Sequence, residues 1–245
     1  MTMRIYKKLK PGPQLGKMAI GGLLVILFLS FGLPHLVQAA PGDLDPTFGT
    51  GGKVVTDFGG PGGAHAVAIL PDGKIVVAGA GLVNPGDNVT DLALARYNAD
   101  GTLDQTFGAG GVVFTDLGRD ESWFAVALQS DGKIVVGGGS GFAFPSSAVL
   151  GRFNPDGSPD TSFGTGGVVT TDFGGFGCGD ISAGIQALAL QPSDGKIVVA
   201  VACSAFAAAD RFLVPVITRT AGASTAAAWT RASAAMARRP LSTAA

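Results

Sequence analysis

The chain has 245 residues, of which 39 are Gly and only 14% are charged, a composition that suits short strands joined by tight turns better than long helices and, with no strict three-residue glycine period, excludes a collagen-like triple helix. The formal net charge of −1 conceals a segregation: residues 1–40 carry five Lys or Arg and no acid, residues 215–245 carry four Arg and no acid, and the eight bases left between them face all 18 acids. That acidic middle argues against a nucleic-acid surface, which needs clustered Lys and Arg to neutralise phosphates.

In chain order, residues 1–39 read as an export signal: a basic start (Arg4, Lys7, Lys8, Lys10, Lys17), an apolar run from Met18 to Leu33, and small residues in LVQAA. Val37 and Ala39 fill the small-residue positions of a signal-peptidase site, so cleavage is expected after Ala39, with the mature chain secreted or at the cell surface and not stably inserted in a membrane. The alternative is an uncleaved anchor, against which the apolar run is shorter than the roughly 20 residues a spanning helix needs. No Cys lies near the junction to carry a lipid.

From residue 40 to 214 the chain repeats itself. LDPTFGTGGKVVTDFGG from Leu44 returns as LDQTFGAGGVVFTDLGR from Leu103 and as PDTSFGTGGVVTTDFGG from Pro159, and PDGKIVVAG from Pro71 returns from Ser130 and from Ser193. LALARYNADG from Leu92 returns as AVLGRFNPDG from Ala148. The units run over about 43–101, 102–157 and 158–214, a period near sixty.

Within the first unit the pattern predicts four short strands, KVVTDF (53–58), HAVAIL (65–70), KIVVAG (74–79) and LALARYN (92–98). The third is a continuous apolar run, expected of a strand covered on both faces, whereas LALARY alternates and sets Arg96 among apolar neighbours. PDGK and NPDG place Pro or Asp where φ is near −65° and Gly where φ must be positive. Four antiparallel strands per unit make a propeller blade, so the expected fold is all-β: a propeller-like array of three four-stranded blades forming an incomplete ring.

The combination LDxTFGxGG, TDFGG, PDGKIVVAG and LARYNxDG at this period resembles the bacterial delta-60 repeat, grouped with domains of unknown function expected to be β-propellers. The resemblance covers about residues 42–214. It implies a secreted or surface-exposed repeat protein, often a module of something larger, and carries no catalytic residues with it. The chain departs from closed propellers in number, three units against the usual four to eight blades.

Candidate chemistry is weighed against these structural roles. Asn98, Asp100 and Asp104, and likewise Asn154, Asp156 and Asp160, offer oxygens at spacings that invite Ca²⁺, but an EF-hand loop also needs a bidentate acid further on and a Gly at its sixth position, so turn capping is the reading adopted. Asp57, Asp116 and Asp172 after Thr could line a channel, yet Asp before such a turn commonly bonds its own backbone. Phe48, Phe107 and Phe163, one per unit at a fixed offset, read as core anchors in preference to a sugar-stacking platform. With His35 and His65 the only histidines, a zinc site or His-based catalysis lacks its parts, and the glycine runs lack the Gly-Lys-Ser/Thr of a phosphate loop. No catalytic, cofactor-binding or metal residues are expected.

Two classes of function remain: an exported, non-catalytic propeller module binding an unknown ligand or protein partner, or a propeller-type hydrolase or dehydrogenase with a metal or cofactor in the channel. The first is favoured because an enzyme's site breaks the repeat, and the units are expected to differ mainly in loop length and apolar substitutions. Blade faces left open at the ends make self-association possible. In the oxidising compartment that export implies, Cys178 and Cys203 lie towards the same open end of the hairpin whose turn is QPSDGK; a disulfide and two small buried side chains are both open readings.

After RFLV the repeat requires ARYNxDG, but residues 215–245 are rich in Ala and Arg, 11 Ala in 31 residues with Gly222 the one Gly. Either they form an Ala-rich helix, one without a regular apolar stripe to dock it, or they are the repeat translated in the wrong frame and no part of the fold. Taking the last nucleotide of each codon with the first two of the next, VPVITRTA permits Ala-Arg-Tyr-Asn-Pro-Asp-Gly and AWTRASAAMA permits Leu-Asp-Thr-Ser-Phe-Gly-Gly-Asn-Gly. Two of these are forced, because Trp229 and Met236 have single codons ending in G: Thr230 must yield Asp, and Ala237 must yield Gly. Sequencing the gene is expected to show the repeat continuing in the shifted frame after Val214; a frame that does not spell Ala-Arg-Tyr-Asn there refutes the reading.

Overall fold

The computed structural model describes residues 2–6, 40–58, 60–82, 89–141, 147–171, 183–205, 208–213 and 216–217; for 2–6, 183, 203–205, 208–213 and 216–217 it describes the backbone alone. The apolar run of the export signal, His35, Asp172, Cys178 and the tail beyond Ile217 therefore lie outside the described residues, and the side chain of Cys203 does too.

Every described element is a strand. The strands are β1 (Thr2–Tyr6), β2 (Lys53–Asp57), β3 (Gly63–Ile69), β4 (Ile75–Gly81), β5 (Asp91–Tyr97), β6 (Val112–Thr115) and β7 (Glu121–Leu128), then β8 (Ile134–Ser140), β9 (Ser147–Phe153), β10 (Val168–Thr171), β11 (Ala183–Leu190), β12 (Ile197–Ala205), β13 (Ala208–Leu213) and β14 (Val216–Ile217). They form antiparallel sheets in the orders β3-β4-β5-β6 and β7-β8-β9-β10, a third of β11-β12-β13 with β14 also on β12, and a β1-β2 pair.

The sheets are out of step with the sequence repeat. The period suggests that KVVTDF opens the same sheet as HAVAIL, but β6, its counterpart in the second unit, closes the sheet of the first unit, and β10 closes that of the second. The reason is local. Between β5 and β6 the LDQTFGAGG segment folds back along β5, with the Asp104 N–H donating to the Arg96 carbonyl and the Arg96 N–H to the Gly111 carbonyl, both at 2.9 Å. The DLGRD segment after β6, with Gly118 at φ 82°, then carries the chain to the next sheet. The first and second sheets thus each take their last strand from the following unit. β2 has no sheet before it among the described strands, and β1 pairs along it from Thr2↔Asp57 to Tyr6↔Lys53, in the place where β5 lies against β6.

Packing is sheet on sheet. Val76, Ala78, Leu92 and Leu94 of the first sheet meet Trp123, Ile134, Val136, Val149 and Phe153 of the second. Val135, Ala148 and Leu150 on the second sheet's other face meet Ile185, Ile197, Val199 and Val201 of the third. Phe48 and Val54 cover the remaining face of the first sheet over Ile75, Val77, Ala95 and Tyr97. β4 is buried on both faces as its apolar run predicts, and so is β5, whose alternating pattern sets Arg96 among apolar neighbours. Its polar side chain, Arg96, is consumed by an internal ion pair.

That pair is the centre of a repeated clamp. The Arg96 Nε–H donates to Asp104 Oδ2 at 2.7 Å, Lys74 Nζ donates to the same oxygen at 2.7 Å, and Asp104 Oδ1 accepts from the Thr106 N–H at 3.1 Å and its Oγ1 at 2.7 Å. The guanidinium lies 4.6 Å from the centroid of the Phe107 ring and also donates to the Pro155 carbonyl of the following unit. Arg152, Lys133, Asp160, Ser162 and Phe163 repeat the arrangement, with both ion pairs again at 2.7 Å and the ring at 4.6 Å. Phe48, Phe107 and Phe163 have no exposed surface, which settles them as core anchors.

The third sheet keeps the register, but among the described residues it shows no clamp. Val198 faces Val216 and Ile197 faces Ile217, as Val76 faces Arg96 and Ile75 faces Tyr97 in the first sheet. An apolar residue therefore occupies the arginine position, and Lys196 pairs at 2.7 Å with Asp194 of its own turn.

Burial opposes ionisation of Asp104, but Lys74, the Thr106 hydroxyl and N–H, and Arg96 outweigh it and hold the carboxyl far below its ordinary value; Asp160 behaves alike with Lys133, Ser162 and Arg152. The unfolded chain therefore binds these protons first as pH falls, so the stabilisation is complete above the ordinary value of 3.8 and drains away below it. We expect Asp104→Ala to cost about 3–5 kcal/mol in urea unfolding, because it strands the buried Arg96 charge, while Asp100→Ala, which removes a fully exposed turn cap, should cost far less. In Asp104→Asn the loss of stability below pH 3.8 should be shallower than in the wild type.

Candidate functional site

β3 packs against β7 and β7 against β11, so these first strands of the three sheets lie side by side as the inner row of the array. Each bulges at the same place in its pairing with the next strand. The register skips His65 between Ala64 and Ala66, Phe124 between Trp123 and Ala125, and Gln186 between Ile185 and Ala187. A bulge leaves its extra residue out of the ladder and re-aims the side chain. It also presses backbone onto the partner strand: a Cβ on Gly79 would lie 1.9 Å from the Gly63 carbonyl oxygen, and one on Gly138 would lie 2.0 Å from that of Ser122.

The three bulged residues come together although they are about sixty positions apart in sequence. The His65 and Phe124 rings stand 5.2 Å apart, tilted by 59°. The Phe124 ring edge and the Gln186 amide both approach the α-carbon of Gly184, within 3.8 Å and 3.5 Å of where a Cβ would sit. His65 and Gln186 are exposed and Phe124 is half-buried. Partial burial lowers the His65 pKa, which favours the neutral imidazole with one donor and one acceptor nitrogen. An aromatic ring flanked by an imidazole and a primary amide offers a stacking face and hydrogen bonds of both senses.

At the start of β7 three carboxylates converge. Oxygens of Asp91, Asp116 and Glu121 lie within 4.8 Å of one another, with Asp91 and Glu121 buried and Asp116 exposed. Burial raises the Glu121 pKa, against hydrogen bonds that favour its charge: from the Leu117 N–H at 3.3 Å, the Arg119 N–H at 2.8 Å and the Ser140 hydroxyl at 3.1 Å. Asp116 accepts from the Gly118 N–H at 2.6 Å, the self-capping expected of it. Oxygens so arranged are the donor type that divalent cations take, yet both Glu121 oxygens are already engaged by the loop they cap, and nothing else there points to a ligand.

Neither grouping was legible as a site in the sequence. The units differ here by more than loop length and apolar exchange: by register, Asp91 corresponds to Ser147 and Glu121 to Ala183. Aligning the units strand by strand and marking chemically unlike residues is the signal that would have found both. The oxygens weighed for Ca²⁺ are, in contrast, taken up by turns and ion pairs. Asp100 caps Thr102, Asp156 caps Ser158, and Asp104 and Asp160 are bound to cations of the clamp.

Residues 70–107 and 129–163 match the family model described as "Domain of unknown function (DUF5122) beta-propeller". Both segments are similar to the repeat of that β-propeller family. Each runs from a hairpin turn to an anchoring phenylalanine and so contains one whole clamp, Lys74 to Phe107 or Lys133 to Phe163. The resemblance to the delta-60 repeat is consistent with this assignment. No curated protein matches the chain.

Proposed function

We propose that the chain is an exported, non-catalytic propeller module that binds its ligand on the inner row of strands. The observation that carries this reading is the bulged row itself: an identical backbone device in three sheets presents His65, Phe124 and Gln186, three unlike side chains, where the clamps behind them repeat almost residue for residue. A row so varied on so regular a frame suits recognition. Export rests on the basic, apolar and small-residue succession of residues 1–39, with cleavage after Ala39. Catalysis in the manner of a metal-dependent propeller enzyme is the competing reading. Elemental analysis of the purified protein is expected to find no stoichiometric metal; a bound divalent ion at one per chain would overturn the non-catalytic reading.

The open ends of the array have a natural occupant in a second copy. Val67 and Ile69 on β3 are 60% and 70% exposed, and Val55 on β2 is 55% exposed, while Val198, Ala200 and Ala202 lie half-exposed on the opposite end, on β12. Val67 and Ile69 lie on the face of the first sheet that the β1–β2 pair covers only in part, Val55 lies on that pair, and the face of the third sheet bearing Val198 has no further described sheet against it; the same kinds of face are buried where sheets one, two and three meet. Association of copies through these ends would continue the packing already present. Small-angle scattering over a concentration series should show a mass that rises above that of one chain. A concentration-independent monomer would rule the association out.

A further inference from the structure

The two ends of the array are halves of one contact. Register makes Val67 and Ile69 of β3, opposite Val77 and Ile75, the counterparts of Val126 and Leu128 of β7 and of Leu188 and Leu190 of β11. Those four pack against the sheet before them, whereas Val67 and Ile69 stay exposed. At the other end Val198 of β12 holds the place of Val76 and Val135, each of which packs against the sheet that follows. The edges match in the same way. In the turn before β2 the Gly49 N–H donates to the Asp100 carbonyl at 2.7 Å, as the Gly108 N–H before β6 donates to that of Asp156 at 2.8 Å. Asp45 Oδ1 accepts from the Thr47 N–H at 3.0 Å and its hydroxyl at 2.6 Å, as Asp104 does from Thr106, so this turn repeats the anion of the clamp. β2 is thus placed as a last strand without its sheet. The third sheet, among the described residues, has no strand beside β13 in the place of β6 or β10. Within one chain the two stand apart, since β2 covers the first sheet and the second sheet separates it from the third.

We propose that two mature chains close into one ring of six sheets, each lending its β2 to the other's third sheet as the fourth strand. The ring rests on the association of ends and the loss of residues 1–39 proposed above. The pairing from Thr2↔Asp57 to Tyr6↔Lys53 shows that this edge of β2 takes an antiparallel strand. β1 belongs to the export signal, so cleavage after Ala39 removes it and bares a row of N–H and C=O groups, a template for another strand. Carrying over the register of β5 and β6 sets Val55 opposite Leu213 and Thr56 opposite Phe212. It also brings Asp45 to Lys196, the counterpart of Lys74 and Lys133. The present pairing of Lys196 with Asp194 is exposed, so little is lost when it is exchanged. Head-to-tail contacts make a ring where the rotation closes and a filament where it does not. Three sheets fall short of the usual four to eight blades, whereas two copies of three bring six.

The test expresses the full chain with its leader in a bacterial host and purifies the exported protein. Mass spectrometry is expected to find Ala40 first, and light scattering a mass of two chains that holds across a concentration series. Val67→Glu, an exposed change that leaves the core intact, should return the protein to a monomer. Lys196→Glu, which sets a carboxylate against Asp45, should weaken the dimer roughly tenfold or more. Val55→Cys and Leu213→Cys, made in separate chains and co-expressed, should be joined between chains by a short bismaleimide, with peptide mapping placing the link at positions 55 and 213. A monomer at every concentration would overturn the association of ends and the ring with it. A dimer that retains residues 1–39, a mass that climbs past two chains, or a dimer without the link between positions 55 and 213 would overturn the strand exchange and leave the association of ends standing.

Discussion

The architecture depends on a buried arginine–aspartate pair set beneath a phenylalanine. Arg96 comes from the third strand of a sheet, Asp104 and Phe107 from the turn that leads into its last strand, and Lys74 from the hairpin before its second strand. Removing two charges from water costs several kcal/mol apiece, which is recovered only when geometry is good and the remaining hydrogen-bonding capacity is filled. Here it is filled: one aspartate oxygen takes both cations and the other takes a hydroxyl and an N–H. Because Asp104 belongs to the second sequence unit while Lys74 and Arg96 belong to the first, the pair joins one unit to the next. The same guanidinium reaches the Pro155 carbonyl, and the Gly108 N–H bonds the Asp156 carbonyl at 2.8 Å, so the linkage extends across the second unit to its last turn.

The offset between sequence repeat and sheet follows from this. A unit cut at its sequence boundary would lose the last strand of its sheet and the anion of its clamp together. Neighbours are held by exchange of strands as well as by contact of faces. The third sheet differs at the level of single residues: Val216 stands in register at the arginine position, and Lys196 pairs with Asp194 of its own hairpin.

On this regular frame the variable residues stand where repetition imposes least. The bulges on β3, β7 and β11 release one side chain each from the ladder. They depend on the frame for their geometry, since no bulge would hold its place without the packed sheets behind it.

Strand-forming runs, turn chemistry and the sixty-residue period were all legible in the sequence, because each rests on local rules: alternation or runs of apolar residues, Gly where φ is positive, one anchoring aromatic per unit. Residue order by itself thus determined the all-β class, the antiparallel hairpins and the burial of Phe48, Phe107 and Phe163. It did not determine which strand pairs with which. Whether VVFT closes the sheet before it or opens the one after it is a choice between two non-local partners, decided by the fold-back along β5 and by the ion pair from Lys74 and Arg96 to Asp104. Nor could it show that His65, Phe124 and Gln186 share a row, or that Glu121 meets Asp91. Those facts arise when separate sheets pack face to face, and only tertiary structure, which sets distances between residues about sixty apart in the chain, could decide them.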